Sequence, residues 1–388
     1  MNHIQRGILA LIRSGLTGKA HPLPENFSLA EALPLIKEHQ IVGLAYEGAV
    51  LCGIGKQEPA MQELFQIYCL ILMRSEKQLR ALNKLFAEFE AAGIDYLTVK
   101  GCNLKALFPK PELRSMGDAD ILIHAEQYDA IQPIVERLGY TYHSYFEGVY
   151  VWTGPAILLE LHKYLMPEGN LDFHRYFSDS WKRAVHLDGH RYALKAEDEF
   201  VFLFVHYAKH YRSGGIGIRQ LIDLWLWQEK HQMDMDYVRA ELGKLKLAAF
   251  FDNTQKMLRV WFADADGDAK TDFISDFIFA SGSWGKLENR QMASGLKAEH
   301  QQGSRSGGRV KLILQAFFPP VSEMDKRYPV LKKAPWLLPL VWPVRWVSAL
   351  LFRRKNIRNF QASVENTADE KLDNFARSLQ YVGLDFDF

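Results

Sequence analysis

Over the first ninety positions, apolar residues recur at helical spacing. Ser28 opens the run SLAEALPLIKEHQIVGLAYEGAVL, and Glu31 follows three residues later, the spacing of a capping box. Met61 to Ala92 stays apolar at helical spacing with no Gly or Pro until Gly93, which predicts one long helix. The pattern then changes. Ile94 to Gly101 (IDYLTVKG) is rich in β-branched and aromatic residues and predicts a buried strand. NLKALF predicts a short helical piece, stopped by Pro109 and Pro111. DADILI (Asp118 to Ile123) predicts a second strand, and Ala125 to Leu138 a helix ending at Gly139. YTYHSYFEGVYVWT reads as a hairpin turning near Glu147 and Gly148, and Ala156 to Leu165 as a further strand. From Asp198 helices return, in DEFVFLFVHYAKHY and IRQLIDLWLWQEK. The fold class is therefore α+β, a small mixed α/β core between helical flanks. The expected regions are an N-terminal helical region (1–92), the α/β core (93–195), a helical domain completing the site (196–300) and a C-terminal segment (301–388). Gln301 to Gly308 (QQGSRSGG) reads as a mobile polar link. No internal repeat is visible.

Length and composition narrow the picture. The chain has 388 residues, enough for two or three domains at roughly 150 residues each. Hydrophobic residues make up 48% and charged residues 24%, a balance that excludes a disordered chain, a collagen-like fibre or a membrane bundle. Lys plus Arg number 47 against 46 Asp plus Glu, so no global field steers the protein to nucleic acid. Cys52, Cys69 and Cys102 form no CxxC pair, and so sparse a set fits buried thiols in a reducing cytoplasm. The amphipathic N-terminus, broken by Arg13, lacks the continuous apolar stretch of a signal peptide. Trp336 to Phe352 is strongly apolar but contains Pro339, Pro343 and Arg345, and is shorter than the ~20 residues a span needs. It reads as a packed helix. The alternative is a peripheral membrane or protein contact, which Trp336, Trp342, Trp346 and the basic Arg353, Arg354 and Lys355 would suit.

The chemistry concentrates in the acidic strand. Asp118 and Asp120 are two apart, so on a strand both carboxylates leave the same face. Two such acids repel unless a cation lies between them, and hard oxygen ligands suit Mg²⁺. Glu160, in LLELH, is a third acid on an otherwise apolar strand. Three carboxylates on neighbouring strands can hold two Mg²⁺ ions, with Mn²⁺ as the substitute, one to activate an acceptor hydroxyl and one to neutralise phosphate charge. Acids at strand ends and turns are also common without a metal. Upstream, Lys100 and Gly101 end a strand just before a helix start, an arrangement whose free N–H groups favour phosphate.

Taken in order, TVKGCNL, ELRSMGDADILI and LLELHKYL resemble the DNA polymerase β-like nucleotidyltransferase superfamily. That superfamily carries a glycine motif on a strand-to-helix turn, an hDhDh strand and a later h[DE]h strand. The resemblance is closest to a bacterial branch with Lys-Gly in place of Gly-Ser, related to the nucleotidyltransferase toxins of toxin–antitoxin systems. The HxxKH of His206 to His210 and the RxxxD of Arg219 to Asp223 are similar to that branch's helical motif, and the likeness spans roughly Ile94 to Trp227. It implies a Mg²⁺-dependent enzyme moving an NMP from an NTP to an acceptor hydroxyl or phosphate, with pyrophosphate released. Asp118, Asp120 and Glu160 would be the catalytic, metal-binding acids. Lys100, Gly101, Asn103, Arg114 and Ser115 would lie by the triphosphate. The acceptor is open among tRNA, protein and small molecules. Two departures from the superfamily pattern are Lys100-Gly101-Cys102 at the glycine motif and Glu as the third acid.

The remaining candidates divide. Lys209 and Arg219 can contact phosphate or base and Asp223 can partner either, or the three can pair structurally. His162 shares the Glu160 strand face and can orient the acid or merely edge the site. His206 and His210 have the i, i+4 spacing of zinc proteases, but Tyr207 stands where HExxH needs its Glu. GIGKQ and GLTGKA both lack parts of a P-loop. The aromatic helices from Phe200 to Trp227 read as core. The rival reading is a non-catalytic nucleotide-binding or scaffolding module that docks through 336–352.

Overall fold

The computed structural model describes residues 1–168, 171–283, 285–302, 318–319, 321–324, 328–352 and 369–384. One compact unit comprises residues 1–209 and 216–283, and a second comprises 210–215 and the described residues from 285 onward. The first unit opens with α1 (His3–Thr17), α2 (Leu29–Glu38), α3 (Val42–Leu51) and α4 (Pro59–Ala92). Ser28 caps α2 through its side chain, which accepts from the Glu31 N–H, the first half of the expected capping box. Helix α4 carries Pro59 at its first position and ends at Gly93, whose φ of 69° is the left-handed conformation a helix stop uses.

The strands β1 (Tyr96–Val99), β2 (Asp118–Ile123), β3 (Thr141–Phe146), β4 (Val149–Thr153), β5 (Leu158–His162), β6 (Ala184–Asp188) and β7 (Arg191–Leu194) form one mixed sheet. Its order is β3-β4-β5-β2-β1-β7-β6. Strands β2 and β5 run parallel, as do β1 and β7, while β1 and β2 are antiparallel. The helical insertions are α5 (Gly101–Leu104), α6 (Tyr128–Arg137) and α7 (Leu171–Phe177). The chain is α+β, with the sheet set between helical segments, in agreement with the sequence pattern.

The β6–β7 hairpin is an addition that the sequence reading lacks. Its signal is present, since Asp188-Gly189 is a favoured pair for a tight hairpin turn and Gly189 takes a φ of 50°. Asp188 pairs with Arg191 across that turn.

Strand alternation divides the sheet's two faces. Ala119, Ile121 and Ile123 of β2 and Leu159 and Leu161 of β5 point into a core shared with Leu82, Leu85 and Phe89 of α4 and Ile131, Ile134 and Val135 of α6. Burying each Leu or Ile there contributes roughly 1.5–3 kcal/mol. The opposite face carries Asp118, Asp120, Glu160 and His162. The core therefore fixes the register that presents the acids, because a one-residue slip would turn them inward.

The unit continues through α8 (Ala196–Arg212), α9 (Ile218–Lys230), α10 (Met235–Lys244), α11 (Ala248–Phe262) and α12 (Ala269–Ser281). Phe200, Val201, Phe202, Phe204 and Val205 are all buried, so this aromatic run is core, as its composition implies.

In the second unit, α13 (Leu287–Gln302) includes Gln301 and Gln302 of the expected link. Residues 303–308, like Arg353, Arg354 and Lys355, lie outside the described residues. The helix Leu338–Phe352 packs Trp342 and Trp346 against Phe318, with the Trp342 indole N–H donating to the Pro319 carbonyl at 3.1 Å. Its other side exposes Leu340 and Val344, and Trp336 just before it is 73% exposed. Among the described residues no helix is long and apolar enough to cross a membrane.

Candidate active site

Register brings the acids together. Asp120 lies opposite Glu160 across the parallel β2–β5 pair and opposite Val99 across β1. His162 Nε2 is 3.0 Å from Asp120 Oδ1 and 3.5 Å from Glu160 Oε2. One ligand atom each from Asp120, Glu160 and His162 lie within 4.8 Å of one another, close enough to share a metal ion. Two carboxylates provide the hard oxygens that Mg²⁺ prefers, so these residues fit the ion. The imidazole nitrogen also lies within reach of both carboxylates, so His162 can orient them as well as offer a ligand atom. Asp118 is outside this tight group but feels its charge. Burial and the nearby Asp120 and Glu160 push its carboxyl above the usual range, against the pull of Lys100 and Arg219.

Lys100 reaches the same carboxylate from the end of β1, its Nζ 2.5 Å from Asp120 Oδ1. Burial alone would raise the Asp120 carboxyl, but Lys100 and His162 outweigh it and hold it well below the usual range. The Lys100 backbone has a φ of 52°, uncommon for a residue with a side chain. Its N–H donates to Glu199 Oε1 at 3.2 Å, and its carbonyl accepts from the Asn103 and Leu104 N–H groups. Gly101 lets the turn pack closely, since a Cβ there would stand 2.8 Å from Met116 Sδ and 3.1 Å from an Arg114 nitrogen, and those side chains would have to shift. The following helix is a single turn, so the positive charge at this turn is that of Lys100 more than that of a helix dipole. The Cys102 thiol is pushed up to about 12 by burial, which leaves it unreactive.

Four of the expected site residues form a latch beside the acids. Arg114 makes a two-pronged pair with Asp223, Nε to Oδ1 at 2.8 Å and Nη2 to Oδ2 at 2.9 Å, and both side chains are buried. Arg219 Nη1 donates to the Ser115 carbonyl at 2.9 Å, the Ser115 hydroxyl at 3.0 Å and Gln40 Oε1 at 3.2 Å. Lys105 adds a bond from its ammonium to the Arg114 carbonyl. The loop that delivers Asp118 is thus pinned to α9 and to the α2–α3 corner. Asn103 is engaged in the same way, its amide donating to the Thr98 carbonyl at 2.7 Å and its oxygen accepting from the Thr98 hydroxyl.

Comparison with known proteins now adds to the geometry. The profile of a family described as uncharacterised nucleotidyltransferases matches residues 25–263, more than half of the chain. The chain belongs to this nucleotidyltransferase family. The solved structure of the antibiotic-resistance factor ANT(2″)-Ia is also similar, at 13% identity and a TM-score of 0.34, over 48% of this chain and 97% of that one. A likeness that weak carries no further argument. No curated protein matches the chain.

In this nucleotidyltransferase Lys209 has a special place. It is half-buried and, among the described residues, has no hydrogen bond or ion pair. Burial first and the Lys100 charge second push its ammonium down to about 8, while Asp120, Glu147 and Glu160 partly offset them. Arg219 is pushed down to about 10 by burial and by Arg114. His206 and His210 join no three-ligand group among the described residues. Two residues escape the sequence reading in whole or part. Glu199 is fully buried at the Lys100 turn, and its only trace in the sequence is an acid leading an unbroken apolar run. The strand pattern puts His162 on the right face, but its bond to Asp120 depends on the β2–β5 register.

Proposed function

We propose that this nucleotidyltransferase moves an NMP from an NTP to an acceptor hydroxyl or phosphate with Mg²⁺. The observation that carries the reading is the convergence of Asp120, Glu160 and His162 within 4.8 Å, with Asp118 on the same strand face. Asp118, Asp120 and Glu160 would hold the metal, which when bound neutralises phosphate charge and activates the acceptor. Lys100 and Lys209 would supply positive charge to the triphosphate, and the Lys209 ammonium, without a hydrogen bond or ion pair among the described residues, suits an anion. His162 is a positioning residue that orients Asp120 and Glu160.

In the transfer, the acceptor oxygen bonds to the α-phosphorus as the bond to the bridging β-phosphate oxygen breaks. Pyrophosphate leaves with that electron pair, and the acceptor's proton passes to the Glu160 carboxylate and on to water. Such chemistry rests on positioning and charge more than on covalent intermediates. The latch of Arg114, Asp223, Ser115 and Arg219 supports it by fixing the Asp118 loop.

The test is NTP binding measured with and without Mg²⁺ in the wild type, Asp118→Asn and Asp120→Asn. Mg²⁺-dependent binding weakened at least tenfold by either substitution is the expected result. Equal binding in all three proteins would remove the acids from the site and favour a scaffolding role.

A further inference from the structure

A cavity of about 960 Å³ opens beside the Lys100 turn, between α4, the β6–β7 hairpin and the first turn of α8. It lies on the sheet face away from the acids, because Tyr96 and Thr98 in its wall pair with Ile123 and Ile121, whereas Val99 pairs with Asp120. The cavity is therefore separate from the reacting groups, and its size suits a small organic molecule.

The wall gives that molecule its chemistry. Glu199 lines the cavity and is 1% exposed, and its Oε2 is buried without a hydrogen-bond partner among the described residues. A carboxylate oxygen so placed costs free energy until a donor reaches it. The rest of the wall is acidic and aromatic. Glu90, Asp188 and Glu199 stand against Arg191, which is already paired with Asp188. Glu90 accepts from the His190 N–H at 2.9 Å, so both other acids are engaged. Tyr96, Tyr192 and Trp227 add rings to the wall, and aromatic faces attract cations. An excess of acid, aromatic rings and an unfilled carboxylate oxygen match a protonated amine and disfavour any anion.

We propose that this cavity binds a small molecule carrying a protonated amine on an apolar body, and that its occupancy is transmitted to the Lys100 turn. The amine donates to Glu199 Oε2, and the rings cover the body. Glu199 is the link, since its Oε1 accepts the Lys100 N–H at 3.2 Å and the Lys100 side chain reaches Asp120 on the other face. A cation on Oε2 keeps the carboxylate charged and in place, and so secures the Lys100 backbone at its φ of 52°. The molecule is an effector of the site and not a reactant in it.

The experiment uses the full chain, with benzylamine as the probe and benzyl alcohol, of nearly the same shape but uncharged, as the control. Binding is measured by ligand-detected NMR at pH 8, above the value of about 7 to which burial pushes the Glu199 carboxyl. Benzylamine is expected to bind on the order of tenfold more tightly than benzyl alcohol, and Glu199→Gln to erase that preference. Ala106→Trp, a bulky change at an exposed position of the cavity wall, should weaken benzylamine to a similar extent with Glu199 intact. The second readout is hydrogen exchange at the Lys100 amide, which benzylamine should slow about threefold or more in the wild type and leave unaltered in Glu199→Gln. Neither readout requires a nucleotide, so the result stands apart from the transfer reading. No binding of either probe, equal binding of both, or amine binding that survives both substitutions would overturn the site. Amine binding with unaltered Lys100 exchange would overturn the link to the turn.

Discussion

Lys100 and His162 meet on one oxygen of Asp120, the ammonium at 2.5 Å and the imidazole nitrogen at 3.0 Å. They arrive from different strands, one from the end of β1 and one from the end of β5. Asp120 is thereby the electrostatic centre of the site.

Removing one partner from that buried pair should destabilise the protein more than removing both. Lys100→Met is expected to cost about 3 kcal/mol, because Asp120 is left buried with less compensation. The double variant Lys100→Met/Asp120→Asn should recover much of it. Urea denaturation of the cycle checks this, and additive losses would show that the pair is not coupled.

Asp118 presents the opposite case. Its carboxyl is held among like charges and disfavoured by burial. Asp118→Asn should therefore leave the melting temperature unchanged or raise it, while transfer activity falls at least a hundredfold. A lower melting temperature together with full activity would make Asp118 a structural residue.

The Arg114–Asp223 pair makes a prediction about stability. Asp223→Asn should cost about 3–5 kcal/mol by leaving the guanidinium buried without its carboxylate. It should also loosen the Asp118 loop, so residual activity falls even in folded protein. A melting temperature within a degree of wild type would show that the latch contributes nothing.

Burial pushes the Glu199 carboxyl up to about 7, so between the ordinary carboxylate range and pH 7 the folded protein holds a proton that the unfolded chain has lost. Stability must then fall as pH rises across that window, and the full penalty applies above it. Glu199→Gln removes the penalty. Its stability relative to wild type should increase between pH 5 and pH 8, by up to about 3 kcal/mol, since each tenfold change in proton affinity is worth roughly 1.4 kcal/mol. A pH-independent difference in denaturation midpoint would contradict the assignment.

What the sequence disclosed follows from the range of each interaction. The acids of β2 and β5, the turn at Lys100 and the hairpin at Glu147–Gly148 are local patterns of period and turn chemistry, and all can be read directly. Arg114 and Asp223 both stand out in the sequence, but their pairing joins positions 109 apart and depends on how α9 docks. Nothing local marks it. Glu199 is hidden for a different reason, since an acid in the first turn of a helix is ordinary. Its importance comes from the Lys100 N–H that it accepts. The β6–β7 hairpin is legible from Asp188-Gly189, but its strands are short and partly exposed.

The most direct test of the account compares two labels in the same nucleotide. With α-³²P-NTP, label should appear on the acceptor, and with γ-³²P-NTP it should leave as pyrophosphate, both dependent on Mg²⁺ and both lost in Asp120→Asn. Acceptor labelled from the γ-position, or undiminished transfer in Asp120→Asn, would contradict nucleotidyl transfer at this site.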